Sequence, residues 1–173
     1  MKDFSIIAAM DSRQGIGKGG LLPWRLSADM AHFKSVTTSS KSGQRNAVIM
    51  GRKTWESIPE RFRPLPERLN IVLTHNTRYA LPEGVLRGSS LQEVLSRVSQ
   101  MADVDQVFVI GGAQVYKDAI MLAQCRILYL TVIHGLFECD AFFPEIPSDF
   151  KIISSEDPQS EQGTIFHFSL FSK

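Results

Sequence analysis

The sequence predicts an α/β fold: one domain spanning residues 1–173, with a central, mostly parallel eight-stranded sheet, an antiparallel C-terminal strand and four flanking helices. Three observations lead there. Short apolar runs rich in β-branched residues alternate with segments of helical periodicity, as in sheets covered on both faces. No internal repeat, low-complexity tract or linker divides the chain. A chain of this size buries roughly 70% of the surface its unfolded form exposes, enough for a full core without disulfides.

The strands are expected at 4–10, 47–50, 70–74, 85–87, 106–110, 126–133, 150–155 and 164–171. In the last, Phe166, Phe168 and Leu170 alternate with His167 and Ser169, which reads as an antiparallel edge strand with one wetter face. Helices are expected at 27–37, 54–58, 90–100 and 113–122. The third carries Leu91, Val94, Leu95 and Val98 on one stripe, with Ser90 and Glu93 at capping-box spacing, and reads as scaffold.

Composition narrows the function. A net charge of +1 gives the whole chain no attraction to nucleic acid or to an anionic membrane. Two cysteines make no disulfide framework, and four scattered histidines show no ligand spacing, so no metal is expected. The apolar run near the N-terminus is too short for a signal core or a membrane span, so a cytoplasmic location is expected.

Ligands of open α/β sheets bind beyond the carboxyl ends of the strands, where helix N-termini present free N–H groups. Two strand-to-helix junctions suit an anion. At Gly111-Gly112-Ala113-Gln114-Val115-Tyr116, paired glycines allow close backbone approach, although a bare Gly-Gly reads more readily as a tight strand-to-helix turn. At Gly51-Arg52-Lys53-Thr54, two cations oppose the helix dipole unless an anion lies between them; side chains splayed into water are the alternative. Together the junctions suit a pyrophosphate. A third strand ends in Leu73-Thr74-His75, hydroxyl and basic groups where a cofactor lacking the 2′-phosphate would meet an acid, which favours NADP over NAD; a solvated turn is the alternative. Asp29, early in the helix opened by Ser27, lies about 40° from Phe33 and so borders the apolar stripe. It reads either as a dipole-favoured helix-start residue or as a carboxylate for a pair of N–H donors.

Several segments resemble dihydrofolate reductases, in family order and over roughly residues 4–171: Ile7-Ala8-Ala9, GIGKGGLLPW at 15–24, LSADMAHFK at 26–34, VIMGRKTWESI at 48–58, RPLPERLNIVL at 63–73, VIGGAQVY at 109–116, LYLT at 128–131 and FFPE at 142–145. The resemblance implies reduction of 7,8-dihydrofolate to tetrahydrofolate, with hydride from NADPH reaching pterin C6 and a proton reaching N5. It places Asp29, Trp24, Thr131 and Leu22 at the reacting centre. Asp29 would bond the pterin 2-amino group and N3 with support from Thr131, and Trp24 would hold a water. Ile7, Met30, Phe33, Ile58 and Ile110 would wall the pocket, Arg63 and Leu65 would also bind substrate, and Arg68 would pair with the glutamate tail. The cofactor would meet Ala9, Ile16, Gly17, Gly20 and Leu21, both glycine junctions, and Leu73, Thr74 and His75. The stretch 15–22 resembles the family's mobile lid, with four glycines in six residues, and Asp140 matches a residue that pins it. In the family the Gly111–Gly112 peptide is cis. Antifolates as ligands and a monomeric state are further implications. Two departures stand out. His75 replaces the usual residue beside the 2′-phosphate, and the stretches 37–46 and 57–65 are longer than in compact bacterial members. Two rivals remain: a related reductase of a ribosylated pyrimidine, and a nucleotide-binding module without catalysis.

Overall fold

The computed structural model describes residues 1–173. In chain order the elements are β1 (Phe4–Met10), β2 (Gly15–Gly17), α1 (Ser27–Thr38), β3 (Arg45–Gly51), α2 (Arg52–Ser57), β4 (Arg68–Leu73), β5 (Leu86–Gly88), α3 (Leu91–Val98), β6 (Val104–Gly111), α4 (Ala113–Ile120), β7 (Cys125–His134), β8 (Ala141–Phe142), β9 (Lys151–Ser155), β10 (Gln159–Glu161) and β11 (Thr164–Ser172). A single 3-10 turn at Glu60–Phe62 follows α2.

The main sheet runs β10-β11-β7-β1-β6-β3-β4-β5, with β9 also paired to β11. Pairing is parallel from β7 through β5 and antiparallel where β11 meets β7, β9 and β10. The connection from β1 to β3 passes β6, and that from β6 to β7 passes β1 in the other direction. Strand order reverses there, which opens a crevice at the carboxyl ends of β1, β6 and β3.

Alternation along the strands feeds two cores. Ile6, Ala8, Ala47, Ile49, Val107 and Val109 face α3 and α4 within a 23-residue cluster. The intervening Ile7, Val48, Met50 and Phe108 face Trp55 of α2, with Phe33 and Val36 of α1 packed alongside. These central strands are buried on both faces, as parallel strands must be. In α3, Leu91, Val94, Leu95 and Val98 are buried, and the Ser90 hydroxyl accepts from the Glu93 amide, as its spacing predicts.

All eight expected strands are present, and the structure adds detail. The C-terminal strand is antiparallel but does not form the edge, because β9 and β10 lie end to end along its far side. Its expected wet face is also mixed. Ser169 is buried against Ser155, whereas Phe168 is only half-buried, packed on the Trp24–Phe166 cluster with its outer ring face stacked on His32. Ser27 does not cap α1; Leu26 holds the N-cap position and has no side-chain acceptor. The second helix starts two residues earlier than expected, so Arg52 and Lys53 lie inside its first turn. No helix is long and apolar enough to cross a membrane.

Candidate active site

The inner face of α1 is mixed: Phe33 and Val36 pack half-buried on the apolar cluster, yet its two fully buried residues, Asp29 and Thr37, are polar. A helix placed only for packing buries apolar side chains, as α3 does, so this face has another use. Asp29 is 9% exposed, and its Oδ1 accepts a 2.6 Å hydrogen bond from the Thr131 hydroxyl on β7. Its Oδ2 has no donor in the protein. Burial pushes its carboxyl above the usual range. The Thr131 bond and nearby His32 oppose that rise, and Glu161 adds to it. Thr131 lies beside Ala9 in the parallel β1–β7 ladder. Trp24 packs edge-on against Phe137, with ring centroids 5.3 Å apart, and its indole N–H is buried without an acceptor. Such a donor is costly to leave unpaired, by about 1–3 kcal/mol.

Near the other end of α1, Arg68 is 8% exposed. One guanidinium nitrogen donates to Thr37 Oγ1 at 2.8 Å, another to the Pro66 carbonyl at 2.9 Å, and the head lies 5.8 Å from the Phe33 ring centroid. No carboxylate pairs with it. A cation this buried without a counter-ion points to an anionic partner from outside the chain. Between Asp29 and Arg68, Ile7 is buried, and Phe33, Ile58, Leu65 and Ile110 pack around the same small cluster. Met30 is 58% exposed on the outer side of the helix.

The glycine junctions meet each other. A Cβ on Gly111 would lie 3.3 Å from the Tyr116 hydroxyl, one on Gly112 3.1 Å from Thr54 Oγ1, and one on Gly51 3.3 Å from Val115. Gly111 has φ 126°, and the Gly111–Gly112 peptide is cis. Tyr116 anchors the start of α4 by donating to the Ile7 carbonyl at 2.9 Å. Beside this junction lies a cavity of about 660 Å³, bordered by Gly51, by Leu73, Thr74 and His75 after β4, and by Gln114 and Val115. Lys53 has no ion-pair partner, whereas Arg52 is tied to Glu56 at 2.8 Å.

At 15–22, β2 pairs with β8, and Lys18 and Leu21 close a turn in which Gly19 and Gly20 have φ of 58° and 80°. Only glycine takes such a pair of conformations without strain. Asp140 grips the turn: its carboxylate accepts from the Gly19 amide at 2.9 Å, and its own amide donates to the Gly17 carbonyl at 2.9 Å. Lys18 also pairs with Glu138. Ile16 packs on the main core, while Leu21 and Leu22 stand in the open.

The structure thus brings Asp29, Thr131, Ile7, Phe33, Ile58, Leu65, Ile110 and Arg68 to one side of the sheet, and Gly51, Leu73, Thr74, His75, Gln114 and Val115 to one cavity, which Arg52, Lys53, Thr54, Gly111 and Gly112 do not line. Arg63 goes elsewhere. Its guanidinium donates to the Trp55 carbonyl at 3.0 Å and lines a separate cavity of about 260 Å³ with Tyr79 and Pro82. Sequence reasoning missed Ser89, Ser90, Gln92, Lys117 and Asp118, which complete the large cavity. The helix read as scaffold therefore presents its N-terminal end to that cavity. Its apolar stripe hid this, although the polar pair Ser89-Ser90 directly after a strand was a usable signal.

Reversed strand order, a glycine-lined crevice and a buried acid define a doubly wound α/β protein with its ligand sites at the carboxyl ends of its strands. The family model for dihydrofolate reductase matches residues 3–173. A dihydrofolate reductase of Aedes albopictus is 43% identical over 183 aligned residues, covering 100% of this chain and 98% of that protein. One from Drosophila melanogaster is 37% identical over 100% of this chain and 99% of its own length. The solved Schistosoma mansoni dihydrofolate reductase superposes with a TM-score of 0.87 at 37% identity, covering 99% of this chain and 98% of that one. The chain belongs to the dihydrofolate reductase family, a family of oxidoreductases.

Proposed function

We propose that this protein reduces 7,8-dihydrofolate to 5,6,7,8-tetrahydrofolate with NADPH. The observation that carries the substrate reading is the pairing of two unmatched charges along α1: a buried carboxylate with a free oxygen at Asp29, and a buried guanidinium without a counter-ion at Arg68. Dihydrofolate carries the complement of both, an amidine-like pair of N–H donors on the pterin and a carboxylate on the glutamate tail. Ile7, Phe33, Ile58, Leu65 and Ile110 supply apolar walls between them.

The chain's residues then divide the work. Asp29 accepts from the 2-amino group and N3, held in rotamer by the Thr131 hydroxyl. Its negative charge favours a proton on N5 of the bound ring. Trp24, whose buried N–H needs an acceptor, holds the water through which that proton arrives. Arg68 takes the tail carboxylate in a forked contact. Leu22 and the rest of the lid at 15–22 exclude bulk water from the reacting faces.

The residues fit NADPH. The glycines at 51, 111 and 112 let the two junctions pack closely against Thr54, Val115 and Tyr116, which leaves the first-turn amides of α4, uncapped by any side chain, to receive a diphosphate. Thr74, His75 and Ser89 line the cavity and offer polar groups for phosphate, and Lys53 and Thr54 in the first turn of α2 add a cation and a hydroxyl. When bound, the cofactor supplies hydride from nicotinamide C4. Flat heterocycles with the same N–H pattern, the antifolates, would compete for Asp29. We further propose that the chain acts in the cytoplasm as a single-domain monomer.

Mixing the protein with NADPH and dihydrofolate tests the reading. Absorbance at 340 nm should fall only when all three are present, with tetrahydrofolate as product. No turnover with dihydrofolate, or faster turnover of a ribosylated pyrimidine, would remove it.

A further inference from the structure

The helix that presents Asp29 has no cap of its own. Leu26 at the N-cap offers no side-chain acceptor, which leaves the amides of the first turn to be satisfied from elsewhere. Glu161, 134 positions away, does this. Its Oε1 accepts from the Ser27 amide at 2.7 Å and its Oε2 from the Ala28 amide at 3.0 Å. Glu161 is the last residue of β10, and Gln162 and Gly163, with φ of 50° and 81°, turn the chain directly into β11. The same hairpin grips α1 a second time, one turn further on. Phe168 of β11 stacks on His32 with ring centroids 3.9 Å apart and planes 16° from parallel. Phe168 is also the cross-strand partner of Thr131, the residue that bonds Asp29. Asp29 therefore sits between two clamps, and both belong to the C-terminal hairpin.

We propose that Glu161 is a positioning residue for the reaction: by capping α1 from the β10–β11 hairpin, it fixes the backbone of Ser27 and Ala28 and so the place of the Asp29 carboxylate. The inference rests on the reading of Asp29 as the group that binds the pterin. An intrinsic cap would tie the helix only to its own preceding loop. A cap from β10 ties it, through β11, to the neighbouring strand β7 that carries Thr131, so the carboxylate and its hydroxyl partner are held to one sheet. Amide donation holds the Glu161 carboxyl below its usual range, so the cap stays charged under the conditions of the reaction.

A double-mutant cycle tests this, with kcat and KM for dihydrofolate measured for wild type, E161A, D29N and the pair. Rates are normalised to the fraction of protein that binds NADPH, so misfolded protein does not count. E161A should lower kcat/KM at least about fivefold, in line with loss of a helix cap. E161Q keeps an acceptor oxygen and should recover part of that loss. Hydrogen exchange of the Ser27 and Ala28 amides should quicken in E161A. In the D29N background the same substitution should change kcat/KM little, because the group it positions is gone. An equal loss in both backgrounds, or none in the wild type, overturns the proposal. Near-normal turnover of D29N alone would instead defeat the reading of Asp29, and it shows before Glu161 is altered.

Discussion

Replacing Asp29 with Asn separates what the carboxylate does for the substrate from what it costs the fold. The substitution keeps the shape and the oxygen that accepts from Thr131 at 2.6 Å, but turns the free Oδ2 into a donor. Opposite two N–H groups it loses a charge-assisted bond of about 1.5–3 kcal/mol and leaves a buried donor unpaired at a further 1–3 kcal/mol or so. The low ends alone come to about 2.5 kcal/mol, and each 1.4 kcal/mol is about tenfold, so kcat/KM should fall roughly 60-fold or more. Initial rates at 340 nm, pH 7 and saturating NADPH measure it. A fall below about tenfold would refute the reasoning from buried charge.

The same variant carries a stability test of opposite sign. Burial raises the Asp29 carboxyl above its ordinary value of 3.8, so the folded chain holds that proton more tightly than the unfolded chain. The resulting loss of stability develops as pH climbs from the ordinary value through the raised one, and is fully present at neutral pH. D29N should therefore melt higher than wild type at pH 7 without ligands, and the gap should close as pH falls toward the carboxylate range. A lower melting point at pH 7 would show that the protein already compensates the charge.

Three further substitutions report on the rest of the site. Arg68→Leu should raise KM for dihydrofolate at least about tenfold, as expected for loss of a buried charge partner, and leave a dihydropterin without the glutamate tail unaffected; equal effects on both would take Arg68 off the tail. Lys53→Gln should weaken NADPH binding about tenfold at low salt and less at high salt, the mark of a lost phosphate contact, and an unchanged dissociation constant would contradict it. Gly88→Ala would put a Cβ 2.1 Å from Val94 Cγ2 and 3.3 Å from Leu73 Cδ2, at a cost of about 1–3 kcal/mol, so the melting point should fall by several degrees. Wild-type melting would mean that α3 shifts freely.

The central strands were legible in the sequence because burial on both faces leaves continuous apolar runs such as Phe4–Met10, which few other structures produce. The two-residue strand β8 and the three-residue strands β2 and β10 are too short to show any period, and their pairing depends on turns at glycines. Asp29 could be placed on α1 from spacing, and Arg68 on the substrate's tail only from the resemblance. That both are buried, and that Arg68 meets Thr37 and no acid, is a tertiary fact. Glu161 was beyond reach, since nothing near Ser27 records that its cap comes from the other end of the chain. Arg63 shows the reverse: its motif is intact, yet its guanidinium is committed to the Trp55 carbonyl.

In the proposed function a carboxylate near the start of α1 receives the heterocycle, and a guanidinium on β4, beside the helix's far end, receives its tail. A crystal structure with folate and NADP⁺ bound measures both contacts at once. The 2-amino group and N3 should lie within hydrogen-bond distance of Asp29, with the tail carboxylate on Arg68. A ring bound elsewhere, with Asp29 still bonded only to Thr131, would contradict it.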